Sequence, residues 1–222
     1  MIDNALVDEC VAAVEVKRHE LTIFMSGISQ WFSSHPVLSR AHGPAVHSVK
    51  SRFKDSDHLR DKIVRKWNEE SPIAPSNVFQ RVTDLVGVRV LHLYQEQFVE
   101  IHDEILRKVN TSGDWHLVEP PRAYTWDPES TEFFDRMGVV VQVKPSFYTS
   151  VHYVVRPRPD SPLCCEIQVR TLFEEIWGEV DHRLNYPNPT ENLHCREQLR
   201  VLAKLVGTGS RLVDSVFRSA SH

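Results

Sequence analysis

Hydrophobic residues recur at helical spacing in the first third of the chain. Between residues 5 and 32 they stand three or four positions apart, with a few longer steps, and the pattern ends at Pro36, which predicts a helix over this segment. Residues 39–51 have mixed polarity and predict no regular element. A second helix is predicted over residues 56–70, because its apolar positions share one face and cap-type residues precede it. The prolines of residues 71–77 predict a loop.

The middle of the chain has the pattern of strands. Residues 84–94 are rich in β-branched residues and almost continuously apolar, which predicts a central strand buried on both faces. A helix is predicted over residues 98–109, and the polar, aromatic-rich residues 113–136 predict a loop. Three further strands are predicted at residues 138–144, 148–155 and 165–170.

Helical spacing returns towards the C-terminus. Thr171 and Glu174 match a capping box at the start of a helix that ends at Tyr186-Pro187-Asn188-Pro189, and a last amphipathic helix is predicted over residues 191–218. These elements predict an α+β (or α/β) protein with a mixed sheet between helices. We divide the chain into an N-terminal helical extension, a central domain and a C-terminal helix, with the bounds 1–40, 41–190 and 191–222.

Composition narrows the class of protein. The 222 residues carry 26 basic and 30 acidic side chains, a formal charge of −4, and 41% hydrophobic residues, which excludes a disordered chain. No apolar run approaches the roughly 20 residues of a membrane span, and the first ten residues lack the pattern of a signal peptide. The pI near 6.3 argues against a protein that coats nucleic acid. The four cysteines have no CxxC spacing, so we expect reduced thiols, a cytoplasmic location and no membrane partner.

Four short segments carry candidate chemistry, and the first is the predicted strand 166–170. Strand alternation places Glu166, Gln168 and Arg170 on one face. Three polar groups beside a helix start are typical of the wall of a binding site, and also of the solvated face of an edge strand. Periodicity alone slightly favours the edge strand.

The second segment is 144–152. If its strand starts near Phe147, Tyr148 and His152 lie on one face. Together with Lys144 they offer a ring for stacking, a hydrogen-bond donor and a phosphate partner, which are the groups that a nucleotide site needs. A tyrosine and a histidine at the edge of a sheet would show the same pattern.

The third and fourth segments are basic and acidic. Arg52, Lys54 and Lys62 lie just before and within the second predicted helix, where such residues form either an anion site or a solvated face. Asp84 stands at the entry of the predicted central strand. A carboxylate there either ends a loop or binds Mg²⁺, which prefers one or two carboxylates together with phosphate oxygens and water.

Taken together, the four segments resemble the synthetase domain of the RelA/SpoT family, the alarmone ((p)ppGpp) synthetases, in the size of a small stand-alone member. EIQVRTLFEEIWGEVDHRLNY (166–186) is similar to the family's signature of EIQ, a hydrophobic residue and RT, followed by a helix. DLVGVRV (84–90) resembles its aspartate-glycine-arginine strand, and KPSFYTSVH (144–152) resembles its K-P-x-G-Y-x-S-x-H segment. The resemblance keeps the family's order and covers residues 45–190. Its basic element is matched by Arg52, Lys54 and Lys62.

The resemblance implies a nucleotidyltransferase-like fold with a mixed sheet of about five strands. It implies a GTP/GDP pyrophosphokinase of the stringent response, which moves the β,γ-pyrophosphate of ATP to the 3′-hydroxyl of GTP or GDP with Mg²⁺ as cofactor. Asp84 and Glu166 would bind the metal and be catalytic, with Glu166 taking the proton of the attacking hydroxyl. The remaining site residues would be Arg52, Lys54 and Lys62 for ATP, and Lys144, Tyr148, His152 and Gln168 for the acceptor nucleotide.

Three positions depart from the family pattern near the acceptor. Phe147 replaces a glycine, Thr149 replaces a basic or amide residue, and Glu175 replaces a polar neutral residue. The acceptor therefore stays open between GDP or GTP and the acceptors of toxin-type relatives, an adenine nucleotide or the 3′ end of tRNA; a toxin would also have an antitoxin partner. A nucleotide-binding module without turnover is a third alternative. The apolar stripe of the last helix would allow a homo-oligomer.

Overall fold

The computed structural model describes residues 2–186 and 188–220. Pro187, which marks the predicted end of a helix, lies outside the described residues. The helices are α1 Asn4–Val16, α2 Arg18–Ser34, α3 Ser56–Lys66, α4 Val78–Arg81, α5 Gln97–Arg107, α6 Pro128–Arg136, α7 Leu172–Asn185 and α8 Leu193–Ala220. The strands are β1 Ser48–Phe53, β2 Val86–His92, β3 His116–Leu117, β4 Arg122–Thr125, β5 Val140–Val143, β6 Ser150–Arg156 and β7 Cys165–Thr171. A π-helical turn, Lys108–Ser112, continues α5.

The predicted helices are present with shifted ends. The segment predicted as one N-terminal helix forms α1 and α2, because Lys17 alone leaves the helical conformation. One such residue redirects the chain without interrupting the apolar spacing, so the pattern conceals the break. The helix predicted over residues 56–70 ends at Lys66, and Asp55 caps its start by accepting a hydrogen bond from the backbone N–H of Asp57 at 2.9 Å. The predicted capping box of Thr171 and Glu174 is confirmed at the start of α7.

Two regions predicted without regular structure contain strands or a helix. β1 arises at the end of the mixed-polarity segment, and its pattern fails to predict it because the strand lies at a sheet edge with three exposed residues. Residues 113–136, predicted as a loop, contain β3, β4 and α6. The two strands are only two and four residues long. α6 begins with Pro128 behind the capping residue Asp127, and packs Phe134 edge-on against Phe98 of α5.

The sheet is mixed, as predicted, but has seven strands rather than about five. The strand order is β1-β2-β7-β6-β4-β5, and β3 pairs with β6 beside this path. The pairs β2–β7 and β4–β5 are parallel, and the remaining pairs are antiparallel. The helices flank this sheet, so the α+β class is confirmed.

The apolar residues form one large core and one small separate cluster. The large core joins α1, α2 and α5 to one face of the central strands. The small cluster consists of Trp177, Ala203 and Val206, where α8 packs against α7. β2 is not buried on both faces, because Gly87 and Arg89 alternate with buried valines and reach a cavity. Within the described residues, no helix combines the length and apolar character that a bilayer crossing requires.

Candidate active site

The register of the sheet brings the sequence motifs onto one face. β2 and β7 run parallel, with Gly87 opposite Glu166 and Arg89 opposite Gln168. β1 runs antiparallel to β2 and places Arg52 opposite Gly87. These side chains face a cavity of about 180 Å³ at the ends where β2 and β7 begin. Its lining includes Lys50, Arg52, Asp84, Arg89, Glu166 and Gln168.

Asp84 lies two residues before β2 and is paired with two lysines. The Nζ atoms of Lys54 and Lys62 both contact Asp84 Oδ2, at 3.1 Å and 2.5 Å. Burial raises the pKa of Asp84, but the two ammonium groups outweigh burial and hold its pKa below the usual range. Burial also lowers the pKa of Lys54. Within the described residues, the buried Oδ1 of Asp84 has no hydrogen-bond partner.

Glu166 is held by hydrogen bonds on both carboxylate oxygens. His152 Nδ1 lies 3.1 Å from Oε1, and Gln168 Nε2 donates to Oε2 at 2.5 Å. Burial raises the pKa of Glu166, but the hydrogen bonds from His152 and Gln168 and the charge of His152 together outweigh it, so the pKa lies below the usual range. The chain of bonds continues, since the hydroxyl of Tyr148 lies 2.9 Å from His152 Nε2. Glu166 is therefore an ionised carboxylate with a fixed orientation.

A second cavity adjoins the first on the side of α7. Its volume is about 520 Å³, and it shares Arg52, Arg89 and Gln168 with the smaller cavity. Tyr148 lies in its wall, and Tyr186 stacks on the ring of His182 at the far end, with 4.7 Å between centroids. The carboxylates thus stand between a basic region on β1 and α3 and an aromatic region on α7 and the loop before β6.

A buried acidic residue joins three cations that line the two cavities. Glu175 contacts the guanidinium of Arg170, and it accepts hydrogen bonds from Lys50 at 3.0 Å and Arg89 at 3.2 Å. Burial raises the pKa of Glu175, but Arg170 and the other two cations hold it below the usual range. Arg170 therefore braces β7 against α7. The edge strand that periodicity slightly favoured is wrong, because β7 lies between β2 and β6 inside the sheet.

The structure unites most of the predicted site residues. Lys54, Lys62 and His152 join the smaller cavity through their contacts with Asp84 and Glu166. Lys144 is the exception, since it lines neither cavity and its Nζ lies over Tyr124, 4.7 Å from the ring centroid. That ring is in turn 4.7 Å from the ring of His152. The strand β6 also starts at Ser150 rather than near Phe147, so Tyr148 reaches His152 from a loop.

Sequence reasoning did not assign three residues to the site: Lys50 and Arg89, which line the smaller cavity, and Glu175, which it noted only as a departure from the family pattern. The first two had a signal, because Lys50 stands two positions before Arg52 and Arg89 two positions after Gly87, each on the same strand face. The ion pairs of Glu175 had no signal, since its three partners come from β1, β2 and β7.

Comparison with known proteins settles the family. The family described as "Region found in RelA / SpoT proteins" matches residues 51–191, which contain every predicted site residue. The chain belongs to the RelA/SpoT family. A curated relative, GTP pyrophosphokinase YwaC of Bacillus subtilis, is 20% identical over 186 residues, which are 81% of this chain and 80% of the relative.

Solved structures of small RelA/SpoT-type synthetases share the fold. Small alarmone synthetase 1 from Bacillus subtilis matches with a TM-score of 0.66 and 17% identity, covering 90% of this chain and 94% of that chain. The same protein bound to its product pppGpp gives a TM-score of 0.62 and 19% identity, with 92% of each chain covered. Its complex with AMPCPP gives 0.57 and 18% identity, with 91% of each chain covered.

Proposed function

We propose that this RelA/SpoT-family chain is a Mg²⁺-dependent GTP/GDP pyrophosphokinase that uses ATP to make (p)ppGpp. One observation carries the proposal: Asp84 and Glu166 face one cavity between a lysine-rich region and an aromatic, hydrogen-bonding region. Pyrophosphoryl transfer needs positioning and charge neutralisation more than covalent help from the protein. The named relatives add support, because one is a GTP pyrophosphokinase and another was solved with pppGpp and with AMPCPP.

The donor nucleotide is proposed to lie beside β1 and α3. Lys54 and Lys62 would contact its phosphates, since their ammonium groups converge at one point on Asp84. Arg52 stands at the junction of both cavities and would contact the donor from the open side. In the free protein, Asp84 balances the two ammonium groups, so the phosphates would enter a site whose cations are already assembled.

Mg²⁺ is proposed to bind to Asp84 and Glu166. The unpartnered Oδ1 of Asp84 fits this role, because a buried carboxylate oxygen that accepts no hydrogen bond is free to coordinate a metal ion. Within the described part of the chain, no three His, Cys, Asp or Glu side chains converge to hold a metal by themselves. The remaining ligands would therefore be phosphate oxygens and water, the usual surroundings of Mg²⁺. When bound, the ion would neutralise charge on the transferred group.

Glu166 is proposed to accept the proton of the acceptor's 3′-hydroxyl. The hydroxyl oxygen would form a bond to the β-phosphorus of ATP, and the bond from that phosphorus to the oxygen bridging to the α-phosphorus would break. AMP leaves with the bridging oxygen. A lowered pKa keeps Glu166 ionised and ready at neutral pH, and His152 and Gln168 hold its two oxygens in place.

The acceptor nucleotide is proposed to lie on the side of Tyr148. Its ring would stack on the acceptor base, while His152 and Gln168 would contact the sugar or phosphates beside Glu166. Lys144 would act at the outer edge, since its ammonium group now rests over Tyr124. Phe147 favours keeping a toxin-type acceptor as the second candidate, because it changes the loop that carries Tyr148.

The domain organisation, the cellular location and the oligomeric state are proposed as well. Residues 41–190 would form the synthetase domain, with helical extensions on both sides, and the protein would act in the cytoplasm. A second copy of the chain would pack on α8, whose apolar stripe exposes Leu205, Leu212 and Val216.

The test is a transfer reaction with ATP labelled at the γ-phosphate. GDP, GTP, an adenine nucleotide and deacylated tRNA are offered in separate tubes with Mg²⁺, and products are resolved by chromatography. We expect labelled guanosine tetra- or pentaphosphate, absent with Glu166→Gln and present with the matched control Glu9→Gln on the exposed face of α1. Label on tRNA alone would overturn the proposed acceptor, and no ATP turnover with any acceptor would overturn the enzyme class.

A further inference from the structure

The residue before the stacking tyrosine has an unusual backbone. Among the described residues, Phe147 is the one non-glycine residue with positive φ, at 61°. This left-handed conformation is disfavoured for a bulky side chain and persists only when the surroundings impose it. A glycine would adopt it freely. Some contact of the Phe147 side chain must therefore hold the loop in this shape.

Contacts to α8 and to a distant loop hold the Phe147 ring. The ring packs edge-on against Trp126, with 5.0 Å between centroids, and the guanidinium of Arg200 lies 5.7 Å from its centroid. Beneath it lies the cluster of Trp177, Ala203 and Val206. These contacts come from three separate parts of the chain, and three of the residues, Arg200, Ala203 and Val206, belong to α8.

α8 is itself fixed over this loop by polar contacts. The indole N–H of Trp177 donates to the backbone carbonyl of Leu199 at 3.0 Å, which ties α8 to α7. Arg211 of α8 forms an ion pair with Asp127 at 2.7 Å, one residue after Trp126. A shift of α8 would therefore also move the residues that contact the ring of Phe147.

The direction of Tyr148 depends on the turn at Phe147. Tyr148 packs on the same small cluster, and its hydroxyl lies 2.9 Å from His152 Nε2. His152 in turn bonds to Glu166. A different φ at residue 147 would rotate the next peptide and move the tyrosine ring away from this chain of contacts.

We propose that Phe147 is a positioning residue through which α8 holds Tyr148 in the shape that receives the acceptor nucleotide. The inference rests on the proposed function, and it adds α8, a helix beyond the catalytic motifs, to the acceptor site. A ring anchored on α8 replaces the free rotation of a glycine by a single, pre-set conformation. Displacement of α8 would then weaken acceptor binding while leaving the ATP side intact.

The kinetic test uses matched substitutions on one helix. Val206→Ala removes a methyl pair beneath Phe147, and Val201→Ala removes the same atoms from a position 56% exposed. We expect Phe147→Ala to raise the KM for the acceptor about tenfold and Val206→Ala about threefold, with the KM for ATP within twofold and Val201→Ala unchanged. Phe147→Gly should lie between wild type and Phe147→Ala, because glycine regains the turn without the anchor.

Amide hydrogen exchange of the free protein tests, without substrate, whether α8 and Phe147 hold the loop that carries Tyr148. Exchange over residues 146–150 should be faster in Phe147→Ala and Val206→Ala than in wild type and Val201→Ala. If Val206→Ala and Val201→Ala are alike in either measurement, or if the KM for ATP rises in parallel with that for the acceptor, the proposal is overturned. A wild-type protein that forms no labelled product would instead overturn the proposed function. The exchange data would still show whether α8 and Phe147 hold the loop that carries Tyr148.

Discussion

The two halves of the active site are built in different ways. On the proposed donor side, Lys54 and Lys62 reach Asp84 from the segment after β1 and from α3. On the proposed acceptor side, Tyr148 sits on a loop whose shape depends on Phe147 and on its contacts with Trp126, α7 and α8. Ion pairs between neighbouring elements secure the first half, and packing between distant segments secures the second.

The difference indicates where the protein tolerates change. The donor side rests on charges that any variant of the reaction would need, because the polyphosphate is the same whatever the acceptor. The acceptor side rests on ring contacts that one substitution can alter. This matches the positions of the departures from the family pattern, which lie at Phe147, Thr149 and Glu175.

Removing a carboxylate should have the largest effect, because Asp84 and Glu166 lie between the two halves and serve both. We expect Asp84→Asn and Glu166→Gln each to lower kcat by about 100-fold or more, with any acceptor nucleotide. Steady-state rates of AMP release measure this loss. A change of only a few fold in either variant would show that the carboxylate belongs to one half or to neither.

A glycine substitution should test the brace beneath the acceptor half. In Gly178→Ala the new Cβ would stand 2.8 Å from Arg170 Nη1, and that guanidinium cannot retreat easily because it is buried against Glu175. We expect a loss of about 2 kcal/mol in the free energy of unfolding. Urea denaturation measures it.

The matched control is Gly27→Ala, since Gly27 is also helical but has nothing within 4 Å of its added Cβ. We expect this variant to gain about 0.5–1 kcal/mol. Equal stability of the two variants would mean that Arg170 moves aside without cost and that the brace is weak.

Opposite shifts in KM should separate the halves directly. Lys62→Met removes a cation from the donor side, and should raise the KM for ATP about tenfold, with little change for GDP. Tyr148→Ala removes the stacking ring, and should raise the KM for GDP about tenfold, with little change for ATP. Initial-rate kinetics with each substrate varied in turn measure both. If either variant raises both KM values equally, its residue does not serve one nucleotide alone, and the division into donor and acceptor halves is wrong.

The smallest expected effect is in the pH dependence of stability, where a buried group of the central sheet and one beneath the acceptor loop should have opposite signs. Burial lowers the pKa of His92, in β2, to about 4, so its contribution to stability is present above pH 6.5 and is lost as pH falls through 4. Burial raises the pKa of Glu174, beneath the acceptor loop, to about 7, so its contribution is present below pH 4.5 and is lost as pH rises through 7.

Single substitutions should reveal how much each group contributes to the change of the free energy of unfolding with pH. Relative to wild type, His92→Asn should make stability fall more steeply as pH rises from 4.5 to 6.5, and Glu174→Gln should make it fall more steeply as pH drops, each by about 1 kcal/mol per pH unit. Thermal or urea unfolding across this range measures the slopes. Parallel curves for both variants and wild type would remove this contrast.

Particular elements show why the sequence predicts one part of the molecule better than another. The alternation of Glu166 and Gln168 with buried residues predicts their common face, and the sheet confirms it. β4 and α6 escaped prediction because their signals are short and polar, and their partners are remote in sequence. The same remoteness hides Glu175, whose three cations come from three different strands.

The sequence by itself determined the family, the order of the catalytic motifs and the charges of the donor side. Those features are local, since each motif that carries the resemblance lies within a few residues on one strand or one helix turn, where the periodicities of 2.0 and 3.6 residues decide which side chains share a face. Only the tertiary structure decided that Phe147 adopts a left-handed turn and that α8 packs on it. The sequence favours no such turn at a phenylalanine, because its stability comes from packing against residues up to about 60 positions away, and such packing exists only once the chain has folded.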